Sequence, residues 1–400
     1  MNVKTRLGIM MFLQYAIWGA WYPVLSEYLT NTLGFTGIQI GVIYSLLPLA
    51  TIIAPFVGGQ IADRYFSSQK LIAFLQLSGG AMLIYVSTIS DYVLMTWLML
   101  VYCLTYAPTL ALTNSIAFIN LEQSEKEFGQ IRVWGTIGWI VSGLVLSGWR
   151  ILSSSTEAIA FQGDTLLLAG IFSIIMGLQS FTLPDTPPKK EGAKPWAFLE
   201  ALKMLKNKNF AVFIIISFVV ATELMFYYIL TAPFLASEKI GLSSSKIPGV
   251  MVIAQVAEIL VMAILLPRWL PKLGIRKILV IGVLAWPARY IIFAIGSPPW
   301  LVIASLSLHG FCFVFFFVAA FIYSDTVAPN DIRHSAQSLI TLVTYGIGNY
   351  VGSLFAGWIK TYFTTEMGTN WTGVFLVPCG ITVLSAVAFL LFFREEQVET

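Results

Sequence analysis

The sequence predicts an all-α polytopic membrane protein with twelve transmembrane helices in two six-helix halves, and three observations carry that prediction. Apolar residues make up 58% of the 400 residues and charged ones 11%, where soluble domains carry about 25% charged residues. The apolar residues fall in twelve continuous stretches, each near the ~20 residues that a helix needs to cross a ~30 Å hydrocarbon core. The second half repeats landmarks of the first at an offset of about 205 to 210 residues.

A soluble chain this apolar could not cover its surface with polar groups, and lipid removes that requirement. The stretches are read as helices 1 to 12, at 7–29, 38–61, 70–90, 92–119, 130–149 and 165–183, then 209–235, 247–268, 276–296, 299–325, 332–361 and 371–393. Strands of a membrane barrel would instead alternate over ~10 residues. The first stretch is too long and too Trp-rich for a signal-peptide core, so it is expected to remain as helix 1. Basic residues set the orientation. Lys4, Arg6, Arg64, Lys70, Lys126, Arg132, the lysines from Lys189 to Lys208, Arg268, Lys272, Arg276, Lys277, Arg333 and Arg394 fall on one side. Arg150, Lys239, Lys246 and Lys360 fall on the other, and Arg289 lies within helix 9. Both termini are therefore expected in the cytoplasm.

The longest polar stretch runs from Pro184 to Asn209 and is basic and Pro-rich. It divides the chain into an N-terminal half (1–183), a cytoplasmic linker (184–208) and a C-terminal half (209–400). Trp196 to Lys206 is expected to form a short amphipathic helix at the membrane surface. Pro23, Gly34 and Gly41 are matched by Pro233, Gly241 and Gly249, and the basic loop after helix 2 by that after helix 8. Parallel repeats of this size are the arrangement of major facilitator transporters, with substrate handled between halves near the midplane. The string from Gly59 to Arg64, GQIADR, resembles the G-x-x-x-D-R loop signature of that superfamily, although Ser67, Ser68, Gln69 and Lys70 stand where a basic triplet is usual. Asp63 and Arg64 are read as gating groups.

Ionisable groups inside the membrane are costly and usually functional. Arg132, Thr136 and Trp139 share one face of helix 5. The alternative for Arg132 is a snorkelling side chain at the boundary. Helix 8 carries Gln255 and Glu258 three apart in an otherwise apolar run. A carboxyl there suits proton binding and release; the alternative is a permanently paired glutamate, with Arg289 as partner. In helix 7, Glu223 precedes Phe226, Tyr227 and Tyr228, whose rings can stack on a flat ligand or simply pack. Gln14, Trp18 and Trp21 in helix 1, Asn114 in helix 4 and Asn349 in helix 11 bridge helices or touch substrate equally well. His309 in helix 10 is a further titratable candidate.

The chain contains neither a Walker loop, a Gly-x-Ser-x-Gly elbow nor a His/Cys cluster, so neither an ATP-driven pump, an enzyme nor a metal site is expected. Cys103, Cys312 and Cys379 lie in apolar runs and read as packing residues. The basic residues sit in short loops rather than one patch, which disfavours nucleic acid.

Phe12-Leu13-Gln14, Trp18-Gly19, Ala107-Pro108-Thr109-Leu110 with Asn114, and Arg132 to Gly138 follow in order along the chain. Glu223-Leu224, Gln255 with Glu258, Leu273-Gly274-Ile275, and Arg333 with Ser335-Ala336-Gln337 continue the series. In these strings the sequence resembles the nucleoside:proton symporters of the major facilitator superfamily. The resemblance implies proton-driven nucleoside uptake across a bacterial inner membrane, with the proton as coupling ion and no other cofactor; a monomer is expected. Arg132, Thr136, Gln255 and Glu258 match polar residues that the family uses around its substrate, and Glu258 would carry the proton. Met225 and Tyr228 replace polar amides, and His309 and Val314 replace a tyrosine and an aspartate in helix 10. A sugar porter of the same fold, and a membrane sensor that binds without transporting, are the alternatives.

Overall fold

In a computed structural model the described residues are 2–153, 163–187, 196, 198–329 and 331–394, with the backbone alone at 55–65, 124 and 125. The first six helices are α1 (Val3–Trp21), α2 (Gly37–Tyr65), α3 (Ser68–Val86), α4 (Tyr92–Asn120), α5 (Ser124–Ser153) and α6 (Asp164–Ser180). The second six are α7 (Lys208–Ala236), α8 (Ile247–Leu260), α9 (Leu266–Ile295), α10 (Pro299–Val327), α11 (Arg333–Tyr362) and α12 (Trp371–Phe392). Each starts within a few residues of its predicted span, except α5, which begins well ahead of the predicted 130, and α9, which takes in the end of the eighth span.

Polar side chains close several helix starts, as orphan N–H groups demand. Asn2 accepts from the Thr5 amide, Asp91 from Leu94 and Asn370 from Gly373. Thr36 and Gln39 form a reciprocal capping box. Between helices 6 and 7 the expected surface helix is a single turn, Phe198–Ala201, followed by the 3-10 segment Leu202–Lys206. Lys189, Lys190 and Lys194 lie outside the described residues.

Two departures from the predicted spans have clear causes. The first span, 7–29, breaks after Trp21 and resumes as a short helix, Leu25–Asn31. Pro23 lacks an N–H and cannot continue the hydrogen-bond ladder. The Tyr44 hydroxyl repairs the gap: it donates to the Tyr22 carbonyl at 2.7 Å and accepts from the Ser26 amide at 3.0 Å. Those two groups would bond each other in an unbroken helix, and a membrane interior leaves no water to replace that bond. The loop expected between helices 8 and 9 shrinks to one residue. The chain stays helical from Ile247 through a π-helical turn, Val261–Leu265, and bends at Gly274, whose φ of 76° favours glycine.

Packing divides the chain into two units, Met1–Pro195 with Leu242–Val252, and Trp196–Gly241 with Ile253–Thr400. The first boundary falls inside the predicted linker. In the first unit small residues let helices approach closely. A side chain at Gly138 would collide with the Phe12 backbone, and Gly80 and Gly170 lie each against the other's carbonyl. In the second unit Gly282 abuts the Phe315 backbone, Gly310 the Ala257 carbonyl and Gly352 the Thr222 backbone. Large apolar side chains such as Trp97, Trp149, Ile215 and Leu384 point outward, which suits lipid and not water.

Candidate functional site

In the first unit the Arg132 face of α5 meets the aromatic face of α1. The Arg132 guanidinium lies 3.9 Å from the centre of the Tyr15 ring. The pair fits because Gly135 carries no side chain: a Cβ there would strike both Tyr15 and Arg132. Trp18 stands edge-on to Trp139 at 5.4 Å and to Tyr22 at 5.5 Å, with Tyr106 at 6.5 Å. Arg132, Thr136 and Trp18 are each half-buried. A cation held by a ring face keeps its N–H donors available, so this wall offers donors beside flat apolar surfaces. The Trp18 indole N–H and the Asn114 side-chain oxygen are buried without partners.

Gln14 has a different role in this structure. Its amide donates to Thr109 at 2.9 Å and accepts from Gln76 at 3.1 Å. Ser173 donates to the Gln76 side-chain oxygen at 2.6 Å. This network ties α1, α3, α4 and α6 together, so Gln14 shows the helix-bridging alternative of its sequence reading. The Tyr106 hydroxyl adds a bond to the Gln14 carbonyl at 2.6 Å.

The second unit gathers the remaining candidates around Arg289, which is fully buried on α9. Its guanidinium lies over the rings of Tyr227 at 4.5 Å and Trp286 at 4.6 Å. Its Nη1 donates to His309 Nδ1 at 3.3 Å. Arginine only donates, so His309 Nδ1 must accept, and the ring is neutral with its proton on Nε2. The His309 ring stacks on Tyr227 at 4.5 Å. Gln255 and Glu258, on α8, lie within electrostatic reach of Tyr227. Gln255 is buried and Glu258 half-buried. π-helical turns follow both elements, Val261–Leu265 after Glu258 and Phe313–Val318 after His309; such bulges frequently mark functional sites.

Phe226 packs against Phe355 at 5.5 Å and is fully buried, which is the packing alternative for that ring. Glu223 is fully buried one turn before Tyr227, and neither of its carboxyl oxygens has a hydrogen-bond partner. Its carbonyl accepts from the Tyr290 hydroxyl. Val314 is buried with no polar role. Asp63 and Arg64 end α2, but their side chains lie outside the described part.

Sequence reasoning missed two groups. Arg289 was visible as a charge inside an apolar helix, yet nothing in the sequence joined it to His309. Arg150 reads as a loop cation, but its side chain is fully buried. It grips Asp164 with two 2.7 Å bonds, reaches Glu27 at 3.4 Å and donates to the Ser244 carbonyl at 3.1 Å. The Ser244 hydroxyl donates to Glu27 at 2.6 Å.

Comparisons with known proteins cover nearly the whole chain. A family model described as nucleoside H+ symporter matches residues 1–398. YegT of Escherichia coli (strain K12) is 36% identical, over 100% of this chain and 96% of its own. The nucleoside permease NupG of the same organism is 30% identical, over 100% and 97%. A crystal structure of the nucleoside transporter NupG superposes with a TM-score of 0.86 at 28% identity, covering 99% of this chain and 100% of that one. A D-xylose–proton symporter structure shares the fold alone, with a TM-score of 0.74 at 14% identity over 98% and 99%.

Proposed function

The chain belongs to the nucleoside H+ symporter family, and we infer that it imports nucleosides together with protons by alternating access of its major facilitator fold. The chain-long family match carries this reading. The two polar clusters support it: each places cationic or amide donors beside aromatic faces inside helices that are otherwise apolar. Ribose hydroxyls and base edges need such donors, and a planar base needs such faces. We assign substrate hydrogen bonding to Arg132, Thr136 and Gln255, ring contact to Trp18 and Tyr227, and proton carriage to Glu258. We place the protein in a bacterial cytoplasmic membrane as a monomer, with both termini inside.

The test is uptake of a labelled nucleoside panel into proteoliposomes. An acid exterior should drive nucleoside accumulation, and excess sugar should not compete. Accumulation of sugar in place of nucleoside would overturn the substrate class.

Binding gives a second expectation. Arg132→Ala and Gln255→Ala should each fold and each weaken nucleoside affinity. Removing one partner of a buried polar contact costs ~1–3 kcal/mol, or roughly tenfold or more in affinity. Parent-like binding in both variants would move the site elsewhere.

Topology gives a third. A cysteine introduced at the exposed Ser243 should react with an impermeant thiol reagent from outside, and one at the exposed Lys203 only from inside. The opposite pattern would invert the orientation.

A further inference from the structure

Glu223 and Arg289 are each incompletely satisfied, and a hydrogen bond from Tyr290 to Glu223 joins their two helices. Both Glu223 oxygens are sealed from solvent without a partner. Arg289 uses Nη1 on His309, while its Nε and Nη2 have no hydrogen-bond partner. Tyr290, the next residue after Arg289, donates its hydroxyl to the Glu223 carbonyl. Tyr227, one turn after Glu223, carries the guanidinium on its ring. The backbone of the acid is thus tethered to the residue that follows the base, and the long arginine arm can turn between partners.

Among the described residues, the surroundings supply no competing cation. On its own helix Glu223 is followed by Tyr227 and Tyr228. α9 brings Arg289 and Tyr290, and α10 brings His309 and Cys312 around the same tyrosines. α12 brings Cys379, and α8 brings Gln255 and Glu258 to Tyr227. α11 packs on this stretch of α7 through Gly348 on Ala221 and Gly352 on Thr222. Of these groups Arg289 is the one positive charge. A carboxylate anion without a partner in such an interior is strongly disfavoured.

We propose that Glu223 is a proton-exchanging carboxyl with two states: protonated, with Arg289 on His309 as seen here, and ionised, with Arg289 turned onto it. The O–H bond of the acid breaks, the proton passes to water, and the guanidinium keeps its charge throughout. His309, neutral and accepting through Nδ1, parks the arginine in the first state. The inference rests on the proton-coupled reading above, and it adds a second acid to Glu258.

Infrared spectra of the reconstituted protein, with and without saturating uridine, test it directly. The parent should show the C=O stretch of a protonated carboxylic acid that uridine perturbs. That band should vanish in Glu223→Gln and persist in Glu258→Gln. Glu223→Gln should still exchange labelled uridine, yet its accumulation with an acid exterior should fall at least tenfold. A structural role would change the amount of folded protein without separating exchange from accumulation. Should Glu223→Gln not survive purification, Glu223→Asp must shift the band. A band unaltered by substitution at Glu223, or parent-like accumulation in Glu223→Gln, overturns the proposal. If the parent accumulates no nucleoside under any pH gradient, the symport reading fails, while the infrared band still judges Glu223.

Discussion

Glu258→Gln is expected to bind nucleoside and exchange it across the membrane, but not to concentrate nucleoside when the outside is acid. The expectation follows from position. Glu258 is the one acid between Ile247 and Pro267 and sits near the middle of that run. It lies one turn after Gln255, within electrostatic reach of Tyr227, and just before the π-helical turn Val261–Leu265. A carboxyl at such depth is tolerated as an anion only while a partner or water reaches it. Glutamine keeps the size and much of the hydrogen bonding and cannot titrate. Binding, which needs the shape and the amide or carbonyl, should therefore survive within a few-fold. Net accumulation, which needs a proton carried inward with each substrate, should fall to the level of equilibration. Counterflow and gradient-driven uptake, measured on the same proteoliposomes, separate the two. Accumulation equal to that of the parent would make Glu258 structural and leave the proton to Glu223 or His309.

Much of this was legible in the sequence because a bilayer imposes a strong and simple constraint. Span length, Gly and Pro punctuation and the basic loops located all twelve helices. What escaped is what depends on a neighbour in space. The break at Pro23 falls inside the span read as continuous over 7–29, and it makes sense only with Tyr44 filling the gap between Tyr22 and Ser26. Gln14 reads equally as ligand or brace, and only Gln76, Thr109 and Ser173 decide for the brace. The Arg132 face was readable from its spacing, but Tyr15 as its platform was not, since the contact depends on Gly135 being bare. Glu223 and His309 were visible as ionisable groups, whereas Arg289 was read as a partner for Glu258, and its bond to His309 was not readable.

Arg150→Met should be the most destabilising single substitution outside the polar clusters. The parent side chain is fully buried and satisfies two acids at once, Asp164 bidentately and Glu27 at longer range, with the Ser244 carbonyl as a further acceptor. Methionine fills a similar volume but leaves two carboxylates near each other without their cation. Breaking a buried ion cluster by removing one partner costs about 3–5 kcal/mol, chiefly because the remaining charge stays buried and uncompensated. The thermal midpoint of the purified protein in detergent should fall by several degrees. Asp164→Asn should cost less, since an amide still accepts one of the two hydrogen bonds and Glu27 still faces the guanidinium. Pairing Arg150→Met with Asp164→Leu should recover part of the loss, because it removes one of the two stranded carboxylates, the one more closely paired with the arginine. The effect should also reach transport. Ser244, held by both Arg150 and Glu27, opens the stretch Leu242–Val252 that packs with the first unit and leads directly into Gln255 and Glu258. Loosening it should weaken nucleoside binding even though Arg150 touches neither residue. A parent-like midpoint in Arg150→Met would show that water replaces the arginine at little cost and that the cluster is incidental to the fold.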